Sequence, residues 1–268
     1  MTIRIGELAT LDRVISIGQS AGFARTIPRL PATYLGAFES DLKDVTAAYS
    51  AFAAQGQRKE PYLIERIDDA DGNVIYQARP KQKQAISPAI AWMTAQTLRG
   101  VIEHGTAASA KSLGLTRYAA GKTGTTDDYK DAWFVGFTNS LTCGTWVGFD
   151  QPQTIEEHGY GATVALPIWV KVMEKASRPK YPDGLFAPPE PLTRVRLCSV
   201  SNRLATDACA AAGDSYEIML PQSIVPTQSC PVHEARQLGQ SGGSREQHGE
   251  SEDFTSHLWR SLRHFFGG

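Results

Sequence analysis

Residues 121–150 read GKTGTTDDYKDAWFVGFTNSLTCGTWVGFD. The end of this stretch alternates Leu141, Cys143, Thr145, Val147 and Phe149, the period-two pattern of a half-buried strand. Asn139-Ser140 fits a two-residue turn, and Ala132–Thr138 before it is a second strand. Arg117–Thr123 is a third, so three strands follow one another along the chain. Strands joined this closely pair antiparallel. The triplet Lys122-Thr123-Gly124 falls where the first of them ends.

Helical patterns lie on both sides of this sheet. Ser87-Pro88 opens the clearest one, with Ile90, Met93, Leu98, Val101 and Ile102 at helical spacing and Gly105 at its end. A helix over about Leu42 to Ala54 carries Leu42, Val45, Tyr49 and Phe52, with Ser40 or Asp41 placed to cap it and Gly56 to end it. Residues 62–77 read as a hairpin about Asp71-Gly72-Asn73. Residues 3–24 read as a helix broken near Gly18 and Gly22, and 164–176 as a helix with Pro167 in its first turn. Prolines 179, 182, 188, 189 and 191 then mark 178–192 as a linker. Residues 193–234 form a small module, and the Gln-, Gly-, Ser- and Glu-rich stretch 235–253 has the composition of disorder. Phe254, Leu258, Leu262, Phe265 and Phe266 make the last residues a short amphipathic helix.

The 268 residues are 41% hydrophobic and 9% aromatic, which is globular composition. Lys and Arg number 27 against 28 Asp and Glu, so no net charge points to nucleic acid or to an anionic membrane. No run of about 18 apolar residues occurs, and the first residues, MTIRIGELATLDRV, lack the basic-then-apolar layout of a signal peptide. They read like the interior of a helix. Of four cysteines, Cys198, Cys209 and Cys230 cluster near the C-terminus, while Cys143 stands apart. The three can be buried thiols, or two can form a disulfide in an oxidising compartment. Cys230-Pro231-Val232-His233 has zinc-like spacing, but structural zinc sites usually show two close ligand pairs, and only one is visible. No metal and no cofactor is expected on this ground.

A Lys-Thr-Gly triplet alone is a weak signal. Its place at the end of a strand gives it a chemistry. A lysine amine beside a serine nucleophile moves protons and attracts a substrate carboxylate. Threonine hydroxyls hydrogen-bond that carboxylate, glycine lets substrate backbone lie against the strand, and a following N–H can stabilise a tetrahedral oxyanion. Several blocks in order strengthen this reading. The quoted stretch, SPAIAWMTAQTLRGVIEHGTAASA before it, LGAFESDLKDVTAAYSAFAAQG further back, ALPIWVKVME after it, and the cysteine-bearing CSVSNRLATDACAA and VPTQSCPVHE together resemble the transpeptidase domain of class A penicillin-binding proteins, from residue 1 to about 234. The resemblance implies an α/β (α+β) fold, an antiparallel sheet flanked by helices, of the penicillin-binding/β-lactamase-like serine acyl-transferase kind. It implies that Lys122 tunes the serine nucleophile, that Thr123 and Thr125 hold the carboxylate of a peptide stem or β-lactam beside Gly124, and that the Thr125 amide forms half of an oxyanion hole. It also implies a place outside the cytoplasmic membrane and a possible glycosyltransferase domain ahead of this one.

Two motifs of that family, Ser-x-x-Lys with the nucleophile and Ser-x-Asn, are missing in register. The opening MTIRIGELATLDRVISIGQSAGF resembles the segment directly after the second, so residues 1–177 read as a partial transpeptidase domain, incomplete at its N-terminus. Such a chain is expected to be inactive, and to fold poorly, by itself. Ser40-Asp41-Leu42-Lys43 does fit Ser-x-x-Lys, yet it lies in a block resembling a non-catalytic helix. Competing readings are a β-lactamase or D,D-carboxypeptidase, disfavoured by the cysteine-bearing extension, and a non-catalytic remnant that binds wall peptide or a partner protein.

Overall fold

The computed structural model describes residues 2–23 and 26–233. The expected disorder of 235–253 and the amphipathic helix after it lie outside the described residues. The chain forms two compact units, one over residues 2–187 and one beginning at Pro188.

In the first unit, α1 (Thr2–Ala9) and α2 (Leu11–Ala21) meet at Thr10, whose φ of 69° breaks the helix. The sequence placed breaks near Gly18 and Gly22, and there is none at Gly18. That glycine instead continues α2, and a Cβ there would come within 2.6 Å of the Ile27 side chain, so it serves close packing. Gly22, with φ 101°, ends α2 as expected. Helix α3 (Leu42–Ala53) buries Asp44, Ala47, Ala48 and Ala51. Asp41 occupies its N-cap position, and no side chain makes a capping hydrogen bond. Of the two candidates, Asp41 and not Ser40 takes the N-cap position, and Ser40 lies outside the helix. Lys43 is in the first turn and pairs with Asp44 at 3.7 Å, so Ser40 and Lys43 share no helical face.

Four short strands follow, β1 (Gln57–Lys59), β2 (Arg66–Asp68), β3 (Val74–Gln77) and β4 (Gln82–Gln84). β2 and β3 form the expected hairpin, and β1 pairs with β4 around it. Asp69 shapes the turn. Its carboxylate accepts from the Asp71 and Asn73 amides and the Asn73 side chain at 2.8–2.9 Å, with Gly72 at φ 85°. Those bonds, the Asn73 side chain first, hold its carboxyl below the usual range.

Helix α4 (Pro88–Glu103) begins where Ser87 Oγ accepts from the Ile90 amide. It leads to the central sheet, an antiparallel meander of β5 (Ala120–Thr125), β6 (Asp131–Phe137) and β7 (Thr142–Gly148) in that spatial order. A wide helical turn at Gly161–Ala165 then leads into α5 (Leu166–Lys175), with Pro167 in its first turn.

The core explains this arrangement. Leu166, Trp169, Val170 and Met173 of α5 are fully buried against Ala132 and Phe134 of β6. The Phe134 and Trp169 rings meet edge to face at 4.8 Å, and Trp169 Nε1 donates to the Cys143 carbonyl at 3.1 Å. Pleating sends Phe137 to the opposite face, where it meets Phe52 of α3 and Phe186. Gly144 lies on that face too, and a Cβ there would strike Thr46 of α3. The sheet is thus covered by α5 on one side and α3 on the other, with α4 along β5.

β5 begins three residues later than expected because Arg117 leaves the strand pattern. Its guanidinium is buried and donates to the carbonyls of Ala176 and Tyr181 and to Asp183. Where the sequence suggests a linker, residues 178–187 therefore pack on the first unit, with Phe186 buried and its carbonyl accepting from Trp92 Nε1 at 2.9 Å.

The second unit pairs β8 (Leu192–Cys198) antiparallel with β9 (Ser215–Pro221), with the short helix α6 (Asp207–Ala211) between them in sequence. Sequence reading assigned no strand to this unit. Its reason for expecting no metal, a single close pair of ligands, also fails in three dimensions, because Cys198, Cys209, Cys230 and His233 converge.

Candidate active-site edge

β5 carries the Lys-Thr-Gly-Thr run, and among the described residues it is an edge strand, paired with β6 alone. Its register matches Lys122 with Val135, Thr123 with Phe134, Gly124 with Trp133 and Thr125 with Ala132. The Thr126 amide donates to the Asp131 carbonyl at 3.1 Å, just beyond the last of these pairs. Hydrogen-bonded and non-hydrogen-bonded pairs alternate along an antiparallel ladder. Lys122 and Gly124 therefore turn their peptide groups toward β6, and Thr123 and Thr125 turn theirs toward the open edge. A carbonyl at 123 and an N–H at 125 thus line the same free side of the strand.

Side chains complete this edge. Pleating alone would separate Lys122 from the two threonines across the sheet. The lysine stem bends back, however, and Nζ donates to the Thr123 carbonyl at 2.9 Å, with Thr123 Oγ1 3.4 Å away. The ammonium comes to the open edge beside a hydroxyl and, two residues on, an outward N–H. Although Lys122 as a residue is exposed, its ammonium is partly desolvated against the strand, and this lowers its pKa below the ordinary lysine value. No acidic side chain is among the causes of that shift, so the positive charge remains available to an anion.

Both threonine hydroxyls are positioned by groups that sequence reasoning did not single out. Thr123 Oγ1 shares a hydrogen bond of 2.8 Å with Thr106 Oγ1 in the loop after α4. Thr125 Oγ1 accepts from the Gly161 amide at 3.0 Å. Beyond Thr125, Tyr129 meets Tyr160 edge to face at 5.1 Å, and their hydroxyls are 3.2 Å apart. His158 stacks beside Tyr160. Asp128 and Tyr129 both take positive φ, at 58° and 55°. Nothing in a non-glycine sequence announces that backbone, so this aromatic cluster was not legible.

Gly161 has to be glycine for the edge to keep this form. A Cβ there would sit 2.4 Å from the Trp133 carbonyl oxygen and 2.6 Å from that of Gly124, both backbone atoms of the paired strands. Gly161→Ala is expected to push the 161–165 turn off the sheet, break the bond to Thr125 Oγ1 and cost roughly 1–3 kcal/mol. Thermal denaturation of the transpeptidase domain measures this. An unchanged melting temperature would show that the turn can move aside freely.

Residues 44–174 match the family model described as the penicillin binding protein transpeptidase domain. The chain is 34% identical over 232 residues to penicillin-binding protein 1A of Neisseria gonorrhoeae, covering 84% of this chain and 28% of that protein. It is 31% identical over 278 residues to penicillin-binding protein 1A of Pseudomonas aeruginosa, covering 85% of this chain and 33% of that one. The chain thus spans about a third or less of these relatives. Among solved structures, penicillin-binding protein 1A of Haemophilus influenzae superposes with a TM-score of 0.71 at 24% identity, over 85% of this chain and 39% of that one, a likeness of fold. PonA1 of Mycobacterium tuberculosis, solved in complex with penicillin V, gives a TM-score of 0.54 at 26% identity, over 64% of this chain and 51% of that one.

Proposed function

Because this chain belongs to the penicillin-binding protein transpeptidase family, we propose that the β5 edge is the carboxylate-holding wall of a serine D,D-transpeptidase that cross-links peptidoglycan. The observation that carries the reading is the convergence on one open strand edge of the Lys122 ammonium, the Thr123 hydroxyl and the outward Thr125 N–H. A peptide stem ending in D-Ala-D-Ala lies along this edge as an added strand, and the edge offers it outward-facing peptide groups that β6 does not use. Its terminal carboxylate sits between Thr123 and Thr125, drawn by the charge of Lys122. Gly124 leaves room for its backbone.

In this reading the serine nucleophile and its partner lysine belong to the family's Ser-x-x-Lys motif, which does not occur in register among the 268 residues. Serine attacks the penultimate D-Ala carbonyl, an oxyanion forms, and the terminal D-Ala leaves. An amine of a neighbouring stem then takes the acyl group. The Thr125 N–H faces the side on which that oxyanion develops and supplies one of its two donors. A β-lactam enters the same wall by its carboxylate and stops at the acyl-enzyme. The setting is the outer face of the cytoplasmic membrane, with a glycosyltransferase domain as a further part of the complete protein. No described helix is long and apolar enough to cross a membrane.

A fluorescent penicillin tests this reading. The 268-residue chain alone is expected to show no covalent label, since the route through the acyl-enzyme needs the absent serine. Joined to a relative's segment carrying Ser-x-x-Lys and Ser-x-Asn, it is expected to label stoichiometrically. Covalent label on the isolated chain would move the nucleophile to a residue within it. Failure of the joined protein to label would favour a non-catalytic peptide-binding role.

A further inference from the structure

The second unit contains a side-chain cluster with no part in transpeptidation. Cys198 at the end of β8, Cys209 in α6, Cys230, and His233 in the helical turn that follows are all buried. Their ligand atoms lie within 4.8 Å of one another. His233 Nδ1 stands 3.5 Å from Cys198 Sγ and 3.4 Å from the Sγ atoms of both Cys209 and Cys230. One nitrogen thus faces three sulfurs at nearly equal distances. A tetrahedral ion with Zn–S near 2.3 Å and Zn–N near 2.0–2.1 Å places its nitrogen about 3.6 Å from each sulfur. The observed spacing agrees with that figure to within about 0.2 Å.

We propose that Cys198, Cys209, Cys230 and His233 bind a single Zn²⁺ as a closed Cys₃His structural site. Three surroundings of the cluster support it. His233 Nε2 lies 3.0 Å from Asp214 Oδ2, the carboxylate–histidine contact that fixes the tautomer and ring of a metal-bound imidazole. Amides point at the sulfurs, from Val200 and Ser201 to Cys198 and from Thr206 to Cys209, at 3.4–3.5 Å, and such N–H groups stabilise thiolate charge. The cysteines are also the packing centre of this part of the unit, with Ala205 as the apolar residue beside them. Among its described residues this unit has one strand pair and a five-residue helix, and segments this short generally need a metal or disulfide staple.

The same geometry argues against a disulfide. All three sulfurs face one imidazole nitrogen, whereas a disulfide would draw two sulfurs to about 2.05 Å and leave the third cysteine and the histidine without a joint role. Four protein ligands leave no open position, so the ion's role is to hold the unit together and not to activate water. Binding requires three thiolates, so three thiol protons leave to solvent as three Zn–S bonds and one Zn–N bond form. This inference does not depend on the transpeptidase reading.

Metal analysis of the purified, soluble 268-residue chain tests it. One zinc per chain is expected, released by a thiol-modifying reagent. Replacement by Co²⁺ should give the visible bands of a tetrahedral ion and the near-ultraviolet absorption of thiolate ligation. Cys198→Ser or Cys209→Ser should lower the metal content at least tenfold, and Cys143→Ser should leave it unchanged. Because a serine variant can fail to fold, His233→Cys serves as the second arm. It keeps four ligands and should retain the metal with a shifted cobalt spectrum. Zinc at background level together with no cobalt–thiolate absorption would overturn the proposal. So would titration of only two free thiols in denaturant where four are expected, since that is the signature of a disulfide within the cluster.

Discussion

Replacing Lys122 by alanine in the complete transpeptidase domain is expected to slow acylation by a β-lactam about 10²- to 10³-fold, the usual effect of removing one group that stabilises developing charge in an active site. Lys122 Nζ reaches the open edge by donating to the Thr123 carbonyl, so its loss removes the only cation that the Lys-Thr-Gly-Thr run places there. Stability should change little, because the residue is exposed and, among the described residues, its ammonium bonds only to the adjacent Thr123. Lys122→Arg keeps the charge with a larger planar head and should recover part of the rate. Stopped-flow acylation with a chromogenic cephalosporin separates these outcomes. A rate within about threefold of the parent would remove Lys122 from the proposed machinery.

Trp169→Ala is expected to have the largest effect on the fold, about 3–5 kcal/mol. Trp169 is fully buried, edge to face with Phe134, and its indole N–H satisfies the Cys143 carbonyl on the edge of the core. Truncation opens a cavity under the sheet and removes the indole donor, while the Cys143 carbonyl keeps Gly136 as its partner in the ladder. A Cβ at Gly136 would come within 2.7 Å of the Trp169 ring, so the sheet has been fitted to this side chain. Far-UV circular dichroism during thermal denaturation of the domain should show a large drop in midpoint or loss of a cooperative transition. Trp169→Phe, which keeps most of the volume and loses the donor, should fall between.

The meander was legible because its signals are local. Alternation from Leu141 to Phe149 and the Asn139-Ser140 turn fix two strands, and Thr138 and Leu141 close that turn with a backbone bond of 2.8 Å. The proline at the start of α4 and the Asp-Gly hairpin turn were equally local. What escaped was set by distant partners. Arg117 leaves the strand pattern because residues 176–183 receive its guanidinium. Thr10, a residue with no left-handed preference, breaks the first helix, while Gly18 stays helical to admit Ile27. At the candidate site the Lys-Thr-Gly-Thr run was plain. Its supports at Thr106 and Gly161, 17 and 36 residues from the threonines they hold, carried no motif. The three cysteines and His233 were noticed, but their convergence into one four-ligand group was missed for the same reason. Cys198 and Cys209 are too far apart in sequence to look like a ligand pair, and only the pairing of β8 with β9 around α6 brings them to His233.

The role proposed for the β5 edge is to hold a substrate carboxylate. The crystal structure of the complete transpeptidase domain acylated by penicillin tests this most directly. The prediction is that the penicillin carboxylate accepts hydrogen bonds from Thr123 and Thr125 near Lys122 Nζ, and that the acyl carbonyl oxygen lies within hydrogen-bonding distance of the Thr125 amide. An acyl-enzyme whose carboxylate is bound elsewhere, with the β5 edge facing only solvent, would contradict it.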